Sequence, residues 1–286
     1  VSLSNMHVDV TTRLGALQKA TSTGLPMLDR ILAGGLRAGA LLTVAGAPGI
    51  GKTALALFVG YMTARAKAAT VFVSPIIDET EVVARLAARA LHREQPESTT
   101  TYGAIWSGEA WQDTETLGAV RSAVDTVIKK VGDMFHVFRA DPFESTAVLG
   151  QVATRLLSRH ERVIVIVDGI DAFSAASGDA ASRAAANASS DSRVQQVAYE
   201  LRRLAEHGAA VLATVPLRHA DVVAPAATVA AELRNVEGSP VPLAKRQLSL
   251  GVRPMELVVR KNHVGPTGIV PLRFLAGAAT FEERGP

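Results

Sequence analysis

Short apolar runs alternate along this chain with longer segments whose apolar residues fall three and four apart, the patterns of strands and amphipathic helices respectively. Leu41 to Ala45, Thr70 to Ser74, Phe135 to Phe138, Val163 to Val167 and Ala209 to Val215 predict strands. Val163-Ile164-Val165-Ile166-Val167 is apolar at every position, as a strand covered on both faces must be. Ala54 to Lys67, Asp78 to Arg93, Ala110 to Val131, Ser145 to Ser158 and Val194 to Glu206 predict the intervening helices. Asp78 and Glu81, three residues apart, suit a helix start. In the same helix Arg85, Arg89 and Arg93 recur every four residues opposite Val82, Leu86 and Ala90, which predicts a solvated basic face. Strand alternating with helix predicts a parallel sheet flanked by helices. Met255 to Arg260 and Ile269 to Leu275 close the pattern as two further strands.

The remaining segments lack either period. Residues 1–20 are polar and predict a lead-in arm, followed by a short helix within Thr21 to Gly39. Ser174 to Ser192 is almost entirely small and polar, and Pro216 to Pro254 is rich in Pro and Ala; both predict long loops. One α/β domain over 21–275 with a C-terminal tail at 276–286 accounts for the 286 residues, and a second full domain does not fit.

Composition narrows the chemistry. Cysteine is absent and the seven histidines show no ligand-like pairing, which excludes a disulfide framework and a thiolate metal site. No leader-like start and no apolar stretch of eighteen residues is found, so the reading is a cytoplasmic chain without a membrane partner. A net charge of +3 permits an anionic partner without the dense basic stripe typical of nucleic-acid binding.

One octet carries most of the functional information. Gly46-Ala47-Pro48-Gly49-Ile50-Gly51-Lys52-Thr53 follows an apolar run and opens a helix at Ala54, which is G-x-x-x-x-G-K-T between a strand and a helix. Glycines in that setting let backbone N–H groups wrap a polyphosphate, Lys52 adds a positive charge, and the Thr53 hydroxyl suits Mg²⁺. Residues 46–54 are therefore the expected nucleoside-triphosphate-binding loop. Asp168, at the end of the fully apolar strand, is placed to hold the Mg²⁺ or its water shell together with Thr53.

With Thr21-Ser22-Thr23-Gly24, Leu28-Asp29, the phosphate loop, Trp111 and its following helix, Asp168 and Gly265-Pro266-Thr267-Gly268, residues 21–275 resemble the ATPase domain of DnaB-type replicative helicases. The resemblance implies a RecA-like P-loop NTPase core and a ring or filament, a hexamer among the possibilities, with nucleotide between subunits. It also implies single-stranded DNA as a partner in the centre. The match begins at residue 21, so the helicase amino-terminal domain falls outside it.

The departures from that family bear on catalysis. The family carries Glu two residues after the Ser that ends the second strand; here Ser74-Pro75-Ile76 places Ile76 there, and an isoleucine neither accepts a proton nor orients water. Asp78, Glu79 and Asp171 are the nearby carboxylates that could substitute, Glu79 foremost. Val215 stands where the family has a γ-phosphate-sensing Gln, and His263 where an arginine finger follows the retained Lys261. Imidazole cannot form the bidentate fork that makes such an arginine worth about 10³ to 10⁵ in rate. Lys52, Glu79, Lys261 and His263 form the candidate catalytic set. The resulting expectation is an ATP-binding, self-assembling protein with weak hydrolysis. Two other readings stay open: a single-stranded-DNA-dependent ATPase or helicase, with Arg183, Arg218, Arg234, Lys245 and Arg246 in the candidate DNA loops, and a nucleotide-gated scaffold for a protein partner.

Overall fold

A computed structural model describes residues 19–176, 189–236 and 250–285. A nine-stranded sheet runs through it in the order β3-β2-β4-β5-β1-β6-β7-β8-β9. The first six strands are parallel: β1 (Leu41–Gly46), β2 (Ala69–Ser74), β3 (Phe135–Arg139), β4 (Val163–Val167), β5 (Ala210–Pro216) and β6 (Val229–Asn235). β7 (Val252–Asn262), β8 (Gly268–Leu275) and β9 (Thr280–Glu283) extend the β6 edge antiparallel. Helices α1 (Pro26–Ile31), α2 (Lys52–Arg65), α3 (Glu79–Glu94), α4 (Tyr102–Ser107), α5 (Thr114–Val131), α6 (Thr146–Leu157), α7 (Ser190–Glu206) and α8 (Ala220–Val223) join the strands. No helix among the described residues is long and apolar enough to cross a membrane.

Alternation of side chains along the central strands builds two cores. Leu42 and Val44 of β1, with Ile164 and Ile166 of β4, face α2, α3 and α5; Leu41 and Ala45, with Val163, Val165 and Val167, face α6 and α7. Helix α2 is buried almost all round, from Ala54 to Ala64, as a helix between a sheet and a second helical layer must be. Gly60 allows it that depth: a Cβ there would lie 2.8 Å from Ile166 Cδ1 and 2.9 Å from Phe135 Cε2.

Three expectations need correction. Pro216 to Pro254 is not one loop, because β6 occupies Val229–Asn235 and α8 precedes it; only 237–249 of that stretch lie outside the described residues. The sequence VAAELRN has weak strand propensity and is held by pairing on both sides, parallel to β1 and antiparallel to β7. Thr280–Glu283, read as tail, pairs with β8. The short helix α4 was also not anticipated. Of the basic stripe on α3 Arg93 alone is exposed: Arg89 is 4% exposed, packed over Tyr61 at 4.5 Å and Phe58 at 5.3 Å, while the half-buried Arg85 pairs with Glu81 at 2.6 Å. The arm at 1–18 and the centre of the first predicted loop, 177–188, lie outside the described residues.

Candidate nucleotide site

β1 delivers Gly46 to the carboxyl edge of the parallel strands, where the loop turns into α2 at Gly51. Gly51 caps the helix with φ of 106°, a left-handed conformation that glycine adopts freely, and a Cβ there would also meet Phe281 and Phe274 at 3.2 and 3.3 Å. The start of α2 presents unpaired N–H groups and its positive dipole end to the loop. Lys52 folds over the same loop, its Nζ donating to Gly46 O at 2.8 Å and Ala47 O at 2.9 Å. Burial lowers the Lys52 pKa, with Asp168 and Asp171 acting in the opposite sense.

Asp168 lies at the centre of a hydroxyl cluster. Thr53 Oγ1 donates to its Oδ2 at 2.9 Å, Ser74 Oγ reaches the same oxygen at 3.4 Å, and Thr214 Oγ1 donates to Oδ1 at 2.8 Å. The carboxylate is 2% exposed; burial raises its pKa, and the hydrogen bonds from Thr214 and Thr53, the Lys52 charge and the Ser74 hydrogen bond oppose that rise. These are hard oxygen donors, and a separation of 2.9 Å between Thr53 Oγ1 and Asp168 Oδ2 matches adjacent corners of an octahedron with arms of about 2.0–2.1 Å. The residues therefore fit Mg²⁺. No cluster of three or more His, Asp or Glu that could hold a metal occurs among the described residues, so such a cation would rely on phosphate oxygens and water for its remaining ligands. Ser74 and Thr214 were missed from sequence; each is a polar residue at the end of an apolar strand, which was the available signal.

The other expected site residues separate into groups. Ile76 is 70% exposed and its side chain lies over Gly169, within 3.7 Å of where a Cβ on that residue would be. Asp78 caps α3, accepting from Glu81 N. Glu79 borders a separate apolar groove with Val83, Trp106 and Trp111, and is not part of the Asp168 cluster. Val215 is fully buried in the core, and its neighbour Thr214 supplies the polar contact from β5.

Lys261 and His263 lie at the opposite end of the sheet from the phosphate loop of the same chain. Asn262 pairs with Val229, and Val229 with Leu42, four residues before Gly46, or about 13 Å along β1. Lys261 Nζ donates there to Ala224 O at 2.7 Å, and His263 N to Thr228 O at 3.0 Å. A cavity of about 690 Å³ flanks the loop on its β6 side, lined by Ala47, Ile50, Leu217, Glu232 and Arg234 among others. Of the expected DNA-loop cations, Arg218 pairs with Asp171 and Arg234 with Glu256, while Arg183, Lys245 and Arg246 lie outside the described residues.

Comparison with known proteins agrees with this architecture. The fold superposes on a solved ATPase domain with a TM-score of 0.76 at 18% identity, covering 98% of each chain. It superposes on a DnaB-like replicative helicase, described together with its interactions with primase, with a TM-score of 0.73 at 18% identity. That match covers 98% of this chain and 66% of the helicase, so the chain spans just under two thirds of the helicase's length. No curated protein matches the sequence. Residues 20–283 match the family described as the DnaB-like helicase C-terminal domain, and the chain belongs to that family.

Proposed function

We propose that this protein binds ATP with Mg²⁺ in the loop Gly46 to Ala54, self-associates as a ring or filament, and hydrolyses the nucleotide slowly. One observation carries the reading: Lys52, Thr53 and Asp168 converge at the loop, while the residue packed over Gly169 beside them is Ile76, which carries no carboxylate. Backbone N–H groups of the loop and the start of α2 would bind the phosphates, and Lys52 would exchange its two loop carbonyls for phosphate oxygens. Thr53 and Asp168 would hold Mg²⁺, directly or through its water. When bound, the cation supplies neutralisation of phosphate charge. Placing and deprotonating the attacking water then has no carboxylate at position 76 to serve it.

Lys261 and His263, remote from their own phosphate loop by strand register, serve the neighbouring copy. An imidazole there lacks the bidentate fork with which an arginine stabilises that charge. Membership of a DnaB-like family supports self-association, and the substitutions support weak turnover.

Steady-state ATP hydrolysis with Mg²⁺, with and without single-stranded DNA and beside Lys52→Ala, tests the proposal. Tight ATP binding with turnover close to the Lys52→Ala background is the expected result. DNA-stimulated turnover at about 1–100 per second, abolished by Lys52→Ala, would overturn it in favour of a motor.

A further inference from the structure

β5 ends at Pro216, whose Cα lies opposite Gly46, the first residue of the phosphate loop. Leu217 lines the cavity beside Ala47 and Ile50, and Arg218 follows it with its side chain 67% exposed. Two groups of the same chain hold the Arg218 guanidinium. Its Nη2 reaches Asp171 Oδ2 at 3.4 Å, and its Nε donates to His219 Nε2 at 3.0 Å. An arginine only donates, so Nε2 of His219 presents its lone pair and Nδ1 carries the proton. That proton is given to Asp191 Oδ1 at 2.8 Å, in the first turn of α7. His219 is 1% exposed, so both ring nitrogens depend on these partners. At the other end of the chain of contacts, Asp171 is, with Asp168, one of the two carboxylates whose charge acts on Lys52.

We propose that Arg218 contacts the terminal phosphate of bound ATP and reports its presence to the start of α7. This rests on the nucleotide-binding reading above. The hold of Asp171 on Arg218 is long and exposed to solvent, whereas arginine meets a phosphate with short, charge-assisted and bidentate hydrogen bonds. The guanidinium therefore gives up Asp171 itself at little cost. Its departure withdraws the Nε hydrogen bond from a buried ring, and an unpartnered buried nitrogen forces His219 to readjust. Asp191 and the first turn of α7 follow, because they hold the other side of that ring. An arginine acting in cis is an established means of stabilising phosphoryl charge, and here it accompanies the weaker His263 that a neighbour would supply.

Calorimetric binding of ATPγS and of ADP, each with Mg²⁺, to the wild-type protein, Arg218→Ala and Arg218→Lys provides the test. Arg218→Ala is expected to weaken ATPγS by about ten- to a hundredfold with ADP unchanged, and Arg218→Lys to recover part of the loss. Hydrogen exchange at residues 190–194 should differ between the ATPγS and ADP states of the wild type and cease to differ in Arg218→Ala. Equal weakening of both nucleotides, or of neither, overturns the proposal and leaves Arg218 as a clasp for His219. If the wild type and Lys52→Ala alike bind neither nucleotide, the nucleotide-binding reading fails, and this proposal with it.

Discussion

Thr53 donates its hydroxyl to Asp168 Oδ2 at 2.9 Å, tying the first turn of α2 to the end of β4 across 115 residues of sequence. Ser74 and Thr214 approach the same carboxylate from β2 and β5, so four elements of the fold meet at one buried charge. Such a charge is costly in the folded chain, and burial is what raises its pKa. Asp168→Asn removes the charge, and the three hydroxyls can rotate to suit an amide. The variant is expected to melt no lower than wild type, while its ATP affinity in Mg²⁺ falls about 10–100-fold. In EDTA the two proteins should bind ATP alike. A difference of the same size in EDTA would show that Asp168 shapes the loop rather than holding the cation.

Arg89 presents the opposite case, a buried cation with no carboxylate partner among the described residues. Its pKa is lowered to about 10 by burial, its Nε has no hydrogen-bond partner, and its other contacts are Tyr61, Phe58 and Met62 Sδ at 3.5 Å. Loss of the ring contacts and relief of desolvation act in opposite directions. Arg89→Met, apolar and of similar length, should therefore stay within about 1 kcal/mol of wild type in urea unfolding. Arg89→Glu, a buried carboxylate without donors, should lose about 3–5 kcal/mol. A comparable loss for Met would show that the aromatic rings stabilise the cation far more than its burial costs.

The same residue shows where the sequence was legible and where it was not. The spacing of Arg85, Arg89 and Arg93 correctly indicates one helix face, yet cannot tell that α2 and its aromatic residues pack against part of it. The phosphate loop and β4 were readable because each is a local pattern with one physical solution. β6 was not, since Ala230, Ala231, Glu232 and Arg234 favour a strand only when β1 and β7 flank them. Ser74 and Thr214 were hidden for a related reason: their role depends on three strands ending side by side, which no local window contains.

Glu282 on β9 gives a prediction in pH. His92, its Nε2 3.9 Å from Oε1, acts first and Arg273 and Arg93 add to it, holding the Glu282 carboxyl below the ordinary value of 4.5 despite partial burial. A depressed folded-state pKa contributes stability that is fully present above 4.5 and lost as pH falls through the folded value. The side chain is about a third exposed, so screening reduces the effect to roughly 0.2–1 kcal/mol. Glu282→Gln should lower stability by that amount above pH 4.5, and the gap should close as pH falls through the folded value, measured by urea unfolding across that range. A gap that persists at low pH would assign the effect to packing of β9 rather than to charge.

Ile76 offers the most direct test of why turnover should be slow. Its backbone N–H donates to Ser74 Oγ at 3.1 Å, and Ser74 in turn reaches Asp168, so the backbone at position 76 is anchored to the phosphate site. The side chain itself is 70% exposed, and a glutamate there displaces no core contact, so Ile76→Glu should fold with stability within about 0.5 kcal/mol of wild type. A positioned general base contributes about 10² to 10⁴ in rate. Ile76→Glu should accordingly raise single-turnover ATP hydrolysis by one to several of those decades, with ATP affinity unchanged. His263→Arg should add to it only at protein concentrations where copies associate, because position 263 cannot reach the phosphate loop of its own chain. If Ile76→Glu binds ATP normally and still fails to accelerate the chemical step, the missing carboxylate is not what limits the site. A rise with His263→Arg alone would then move the limitation to the neighbour's contribution.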